Sequence, residues 1–451
     1  MCAVAAIDRL HRFQRELGAT PALWWAFAYF FCLLSGYYVL RPVRDAMAAS
    51  PDANAVFPMW LIEAASGVGM ALGEYTLQVL FSATFVAMLL MQPVYGALVS
   101  RFPRRIFLPA VYLFFIVCLL GFYWVFHAAM PGRGALFFVW LAVFNLFAVS
   151  VFWSFMADVF SNVEARRVYG YIGAGGTIGA LVGPVLTRTL VQGVGVANLL
   201  LVSALLLGLC LVCILKLRTH ALRREREQGV AAAGQPIGGS VLAAFGLVWR
   251  DPLLRALSLL MFFGVGVGTL LYSEQVAIAR AAFADPAERT AYFSSIDLAI
   301  NLLTILVQVF ATGRLMTRFG IAPLLLLPGL AIMLGFALLA ASPLPLLVAM
   351  VQVATRAGEF SLAKPARETI YTRVDRESRY KAKAFIDTVV YRAGDLGFVW
   401  LHKPLAAMGS TMVFGVGVFV AAAFFLSAWR VVRAQQALPE RPGPAPASHP
   451  A

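Results

Sequence analysis

The chain has 451 residues, of which 61% are hydrophobic and 13% charged, with a formal net charge of +14 and a mean hydropathy of +0.81. A soluble domain carries roughly a quarter charged residues, so this composition excludes a soluble globular protein and calls for a polytopic membrane protein with spans of about 20 residues. The basic excess does not point to nucleic acid, because Lys and Arg sit in short loops between apolar runs, the distribution that the positive-inside rule produces.

Met1–Leu17 carries Asp8, Arg9, Arg12 and Arg15 and lacks an apolar core followed by a small-residue cleavage site, so no cleavable signal peptide is expected. Twelve apolar runs follow, near 22–41, 76–99, 106–128, 135–158, 168–190, 196–216, 255–279, 291–313, 321–341, 344–364, 383–401 and 411–430. With the amino terminus in the cytoplasm, Arg101, Arg104, Arg105, Arg166, Arg167, the basic residues from Lys216 to Arg226, Arg314, Arg318 and the segment Arg373–Lys383 all fall inside. The opposite side holds fewer basic residues, chiefly Arg44, Arg133, Arg188, Arg280, Arg289 and Lys403. Both termini are therefore expected to be cytoplasmic.

Residues 46–75 form an expected extracytoplasmic insertion. Its run Val56–Leu72 is broken by Glu63, and counting it as a span would scramble the charge bias of every later loop. A surface helix or hairpin is expected there, with a re-entrant segment as the alternative. Residues 217–254, basic and then Gly/Ala-rich, form a cytoplasmic linker between a first bundle of six helices (1–216) and a second (255–433). The Pro/Ala-rich tail 434–451 is expected to be disordered.

An internal repeat supports that division. Gly96–Arg105 lies between the second and third runs and Gly313–Gly320 between the eighth and ninth, and both read G-x-L-x-[ST]-R-F. Parallel six-helix repeats produce such a correspondence. The loops resemble the signature loop of the major facilitator superfamily, with Ser100 and Thr317 in place of its acidic residue.

The chemistry concentrates in charged residues that interrupt apolar runs. Each costs at least about 2.5 kcal/mol on insertion scales and must face a partner or a polar cavity. The first run ends Tyr37-Tyr38-Val39-Leu40-Arg41-Pro42-Val43-Arg44-Asp45; Arg41 and Asp45 are one helical turn apart and could pair, or the stretch is an ordinary anchored helix end. The fifth run carries Gly170, Gly173, Gly175, Gly176, Gly179, Gly183 and Pro184, a small-residue face suited to close helix packing. Gly179–Pro184 also resembles the antiporter motif of the same superfamily.

Lys364–Gly397 is the richest stretch. Arg356 and Glu359 just before it, and Arg392 and Asp395 within it, are i, i+3 neighbours. They are either self-neutralised structural pairs or a substrate site in which guanidinium groups hold anionic oxygens and carboxylates govern exchange. Lys364, Arg367 and Lys383 form a basic vestibule or serve as positive-inside anchors. Tyr272, Glu274, Gln275, Asp297, Asn301 and Asp387 are further polar candidates, and Asn145, Trp153 and Asp158 mark the fourth run. Cys210 and Cys213 stand among Leu and Ile and are expected to be packed thiols. The five histidines (His11, His127, His220, His402, His449) are scattered, so no metal site, cofactor or catalytic triad is expected, and no enzyme.

Three stretches, Tyr37–Asp45, Glu164–Gly183 and Lys364–Gly397, are similar to the bacterial and plastid ATP/ADP translocase family within that superfamily. In the third, Arg367, Glu368, Tyr371, Asp375, Glu377, Lys381, Lys383, Asp387, Arg392 and Gly394 stand where the family has the same or an equivalent residue. The resemblance implies an all-α membrane protein of twelve transmembrane helices in two six-helix bundles with a cavity between them. It also implies a bacterial inner-membrane exchanger of phosphorylated or otherwise anionic metabolites, with Arg41, Arg44, Arg356, Glu359, Lys364, Arg367, Arg392 and Asp395 at the substrate. Pro42 and Arg44 depart from the family's first-run pattern, and Asp395-Leu396 replaces its Lys-Ser, which reverses the local charge and weakens a polyphosphate site.

The leading expectation is thus secondary active transport of an organic anion or nucleotide-like solute by alternating access, by a monomer embedded in lipid. The alternative is a proton-coupled exporter of apolar or cationic compounds working through Glu274, Asp297, Asp387 or Glu359; a non-transporting receptor or scaffold is a third class. The topology is directly testable. Alkaline phosphatase fused after Met130 should be active, and fusions after Arg224 or Arg433 inactive; the reverse pattern overturns the orientation.

Overall fold

The computed structural model describes residues 21–101, 104–160, 162–228, 241–371, 382–383 and 385–436. Met1–Leu17, Phe102 and Pro103 of the first signature loop, Gly229–Ser240 of the linker, Arg373–Lys381 and the tail from 437 lie outside the described residues, as do the side chains around the first loop. Every regular element among the described residues is helical.

Helix α1 (Pro21–Ala48) is followed by two short helices, α2 (Ala53–Val56) and α3 (Met59–Gly67), and a 3-10 turn, Leu72–Tyr75. None of these three is long enough to cross a bilayer, and Met59, Trp60 and Val68 are exposed. Four long helices then follow in order, α4 (Thr76–Arg101), α5 (Arg104–His127), α6 (Arg133–Val159) and α7 (Asn162–Val194). After α8 (Val196–Gln228) come a short α9 (Val241–Arg250), α10 (Pro252–Ala282) and α11 (Pro286–Val307). A π turn, Gln308–Thr312, joins α11 to α12 (Gly313–Phe319), whose end is closed by Gly320 at φ +72. The last elements are α13 (Ala322–Ala341), α14 (Pro345–Gly358), α15 (Lys364–Tyr371), α16 (Tyr391–Ala407) and α17 (Ser410–Gln436), with π turns at Glu359–Ala363 and Ile386–Val390.

Eleven of these helical stretches are long and apolar enough to span a membrane. The expected run at 383–401 is helical but is not among them. It is divided into a π turn and the 17-residue α16, and Arg392, Asp395, His402 and Lys403 lower its hydropathy. Large apolar side chains such as Leu205, Leu334 and Phe419 stand exposed on these helices, as lipid-facing residues do. This is an all-α membrane protein.

The chain forms two compact units, one from residues 1–235 with 276–301 and one from 236–275 with 302–451. In the first, α1 packs chiefly on α7 and α8. The glycine face of α7 makes that approach possible: a Cβ at Gly183 would lie 2.6 Å from Tyr38 Cβ, and one at Gly179 would run into the Phe31 carbonyl oxygen. Hydroxyls pin the same surfaces, with Thr187 donating to the Val39 carbonyl (3.2 Å) and Ser203 to that of Gly36 (3.1 Å). The Phe30 ring of α1, seated over Gly176 of α7, also stacks on Phe152 at 4.3 Å. In the second unit α13 packs on α17, with the Phe336 ring seated over Gly417, and the Phe398 ring of α16 lies over Gly266 of α10.

Helices in lipid gain little from hydrophobicity against one another and depend on close contact. Gly→Ala in a helix otherwise gains about 0.8–1 kcal/mol of propensity. Gly173 of α7 has nothing within 4 Å of a built Cβ, so Gly173→Ala should leave the melting temperature unchanged or raised. Gly179→Ala should lower it, since the obstructing atom is backbone. Equal effects in a thermal scan of the two variants would refute this account of α1–α7 packing.

Candidate functional site

The second unit holds a cluster of ionised groups on α10, α14, α15 and α16. Arg356 Nη1 lies 3.5 Å from Glu359 Oε2, and Arg367 Nη2 approaches Glu359 Oε1 at 4.0 Å. Arg392 Nη1 lies 3.2 Å from Asp395 Oδ2, and Thr269 donates to Asp395 Oδ1 at 3.0 Å. The two pairs meet on α10. Gly268, next to Thr269, lies so close to the Arg356 guanidinium that a Cβ there would be 3.2 Å from Cζ. A larger residue at 268 would push that guanidinium away.

Local backbone shape positions the groups. Glu359 opens the π turn Glu359–Ala363, which lies against the π turn Gln308–Thr312: Thr312 donates to the Ser361 carbonyl (2.8 Å) and Gln308 to that of Phe360 (3.2 Å). A π turn disturbs the regular i→i−4 ladder, and such turns are frequent at functional sites. Here the neighbouring side chains take up carbonyls of the turn. The cluster holds three guanidinium groups against two carboxylates, all with side chains no more than 30% exposed. Its distances exceed the 2.7–2.9 Å of tight charge-assisted bonds.

Lys364 and Asp387 are exposed at the margin of this cluster, where Asp387 interacts electrostatically with Lys383, Arg367 and Lys364. Lys383 instead pairs with Glu368 at 2.5 Å and lies over the Tyr371 ring.

In the first unit the expected Arg41–Asp45 pair is replaced by two others. Arg44 bonds Asp45 Oδ1 through Nη2 (2.6 Å) and Nε (2.9 Å), and Arg41 Nη1 lies 3.3 Å from Asp297 Oδ1 on α11. Sequence spacing suggested the i, i+4 partner, but Arg44 takes Asp45, and Asp297 reaches Arg41 from a helix more than 250 residues away. Arg41 also lies over the Tyr38 ring and Arg44 over that of Phe138. Asn301, a further polar candidate, donates to the Ala180 carbonyl at 2.7 Å.

Arg280 and Arg289 were expected as loop cations. They act as carbonyl clamps: Arg280 donates to Gly73 and Ala48, and the buried Arg289 to Ala46, Phe283 and Ala284. They tie the segment at 46–75 to α10 and α11.

Glu274 is buried, with His402 Nε2 2.8 Å from Oε1 and Ser410 Oγ donating to Oε2 at 2.8 Å. Sequence reasoning identified Glu274 but set His402 aside as one of several scattered histidines. Thr269, Gly268 and Ser410 were also missed. The Gly264, Gly266, Gly268 spacing on α10 was the one available signal, since such a stripe marks close approach. No group of three metal-ligating residues occurs among the described residues.

Comparison with known proteins agrees with this architecture. The family profile described as Major Facilitator Superfamily matches residues 46–397. The chain is 24% identical over 460 residues to ADP,ATP carrier protein 1 of Chlamydia muridarum, covering 88% of this chain and 84% of that one. It is 24% identical over 419 residues to the Chlamydia trachomatis protein of the same name, covering 82% and 79%. A mutant of the nucleoside transporter NupG superposes with a TM-score of 0.61 at 14% identity, over 92% of this chain and all of that one. A D-xylose-proton symporter gives 0.61 at 13% identity, over 89% and 97%. These proteins are transporters rather than enzymes.

The Arg41–Asp297 pair yields a stability prediction. Removing one member of a fully buried pair costs about 3–5 kcal/mol, and the 20% exposure of Arg41 places this one below that range. Asp297→Asn should lower the melting temperature more than the double variant Arg41→Gln/Asp297→Asn. Additive losses in that cycle would exclude the pairing.

Proposed function

Because the chain belongs to the major facilitator superfamily and is distantly similar to ADP,ATP carrier proteins, we propose that this membrane transporter moves a nucleotide-like or otherwise phosphorylated organic anion. Transport proceeds by alternating access, as exchange of one anion for another. The observation that carries this reading is the surplus of guanidinium over carboxylate groups around Thr269, Glu359 and Asp395. Arg356, Arg367 and Arg392 bind the anionic oxygens, since the planar guanidinium matches phosphate and carboxylate in a bidentate way. Glu359 and Asp395 hold those groups while the site is empty.

Arg41 and Arg44 make the corresponding contribution from the first unit, Lys364 adds positive charge at the cluster's exposed margin, and Asp387 stands as an acidic residue near it. Exchange follows from electrostatics: a cationic site without its anion is costly to enclose in a low-dielectric surround, so the return step favours a loaded carrier. Asp395 already occupies Arg392, and this supports an anion of lower charge than a nucleoside triphosphate. The bacterial inner membrane, cytoplasmic termini and a monomeric carrier complete the proposal.

The test is thermal stability of purified protein against nucleotides, sugar phosphates and carboxylates, repeated with Arg356→Gln and Arg392→Gln. A ligand at about a hundred times its dissociation constant stabilises by about 2.7 kcal/mol. A rise with one anion class in the wild type, lost in both variants, is expected. Stabilisation by apolar cations alone would discard the anion reading.

A further inference from the structure

The end of the second unit where α13 starts and α17 finishes carries arginines that the guanidinium cluster does not include. Arg314 and Arg318 lie on α12, Arg430 and Arg433 lie near the end of α17, and all four are exposed. The sequence has no Asp or Glu between Asp297 and Glu359, or between Asp395 and Glu440. Helices α12, α13 and α17 therefore carry no carboxylate of their own, and the face is cationic throughout.

Helix packing brings the arginines to one place. Gly329 of α13 meets Phe425 of α17, and further along α13 the Phe336 ring sits over Gly417, further back along α17. The two helices thus run in opposite directions. At about 1.5 Å per residue, the start of α13 lies about 11 Å from the Gly329 contact and Arg433 about 12 Å from it, toward the same end. Arg318 and Phe319 precede α13 across the turn at Gly320 (φ +72).

Two of the guanidinium groups are backed by rings. Arg433 Cζ lies 3.7 Å from the Trp429 ring centroid, and Arg318 Cζ 5.3 Å from that of Phe319. A ring takes one face of the planar group and leaves its N–H edge outward, the edge that grips phosphate in a bidentate way. Trp429 is itself partly exposed, and tryptophan settles at the level of lipid headgroups.

The surface leading away from the arginines is apolar. Leu327, Leu330 and Leu334 stand exposed on one face of α13, as do Phe419 and Leu426 on α17, and Leu426 shares its helix face with Arg430 and Arg433. Exposed leucines alone mark contact with any lipid. Four arginines without an acid above them select charge, because a zwitterionic headgroup would bring a cation of its own to a cationic face.

We propose that this face of α13 and α17 binds an anionic phospholipid. Its phosphate oxygens lie on Arg318 and Arg433, Arg314 and Arg430 add positive charge, and its acyl chains run along the leucines. The site uses none of the residues assigned to the solute and does not depend on the anion reading.

The test titrates the full-length protein in a neutral detergent with dioleoyl phosphatidylglycerol, reading bound lipid by native mass spectrometry and the melting temperature in parallel. Dioleoyl phosphatidylcholine, glycerol phosphate and inorganic phosphate are titrated alongside. Phosphatidylglycerol should be retained in preference to phosphatidylcholine and should raise the melting temperature. Its dissociation constant should rise about tenfold or more in Arg318→Gln/Arg433→Gln. It should stay unchanged in Arg250→Gln/Arg255→Gln, which removes two exposed arginines of α9 and α10. All four substituted side chains are exposed, so these variants retain the fold. Equal weakening in the two double variants would reduce the effect to general attraction and overturn the site. Equal retention of phosphatidylcholine would overturn the selection for charge. An equal rise in melting temperature with glycerol phosphate or inorganic phosphate would overturn the lipid as occupant.

Discussion

An ionised side chain carried into a bilayer loses its water, and the partner it finds decides what it can do. In the first unit that requirement joins Arg41 to Asp297, Arg44 to Asp45, and Arg289 to carbonyls at 46, 283 and 284. In the second it gathers Arg356, Arg367 and Arg392 around Glu359 and Asp395. Each set has three guanidinium groups against two carboxylates; in the first the third, Arg289, is held by carbonyls alone, whereas in the second all three lie near a carboxylate. The same physical demand therefore produces separate pairs and carbonyl clamps in one place and a shared cluster in the other.

The helices must bring these groups together without much help from the hydrophobic effect, because lipid tails are as apolar as leucine. Two devices compensate. Glycine faces allow backbones to touch, at Gly179 and Gly183 of α7 and at Gly266 and Gly268 of α10. Changes of helical pitch, at Gln308–Thr312 and Glu359–Ala363, rotate the following residues, and the displaced carbonyls find side-chain donors in Thr312 and Gln308. Close approach at Gly268 and the pitch change at Glu359 together place Arg356 where it meets both α10 and its own carboxylate.

Charge balance also bears on the solute proposed above. Asp395, held by Arg392 and Thr269, consumes part of the positive field that a polyphosphate needs. The likeness to ADP,ATP carriers extends over most of the chain at 24% identity, which is compatible with a shared architecture and a changed solute. A separate Glu–His pair joins α10 to α16.

Periodicity and composition were enough to identify an all-α membrane protein, most of its spans and the non-spanning segment at 46–75, because apolar run length is a local property set by bilayer thickness. The glycine face of the fifth run was legible for the same reason, as were the i, i+3 pairs Arg356–Glu359 and Arg392–Asp395, whose members share one helix face. Partners distant in sequence were not. Arg41 could pair with Asp45 on spacing, yet Arg44 takes that carboxylate and Asp297 holds Arg41; His402 looked isolated until α16 brought it to Glu274. The π turns were hidden too, since no residue pattern announces them and packing selects them. What the sequence by itself determined is most of the segments long and apolar enough to span a membrane, and which charges must find partners. Which partners they found was decided by tertiary structure, because a Coulomb interaction depends on distance in space and the chain's order does not encode that distance.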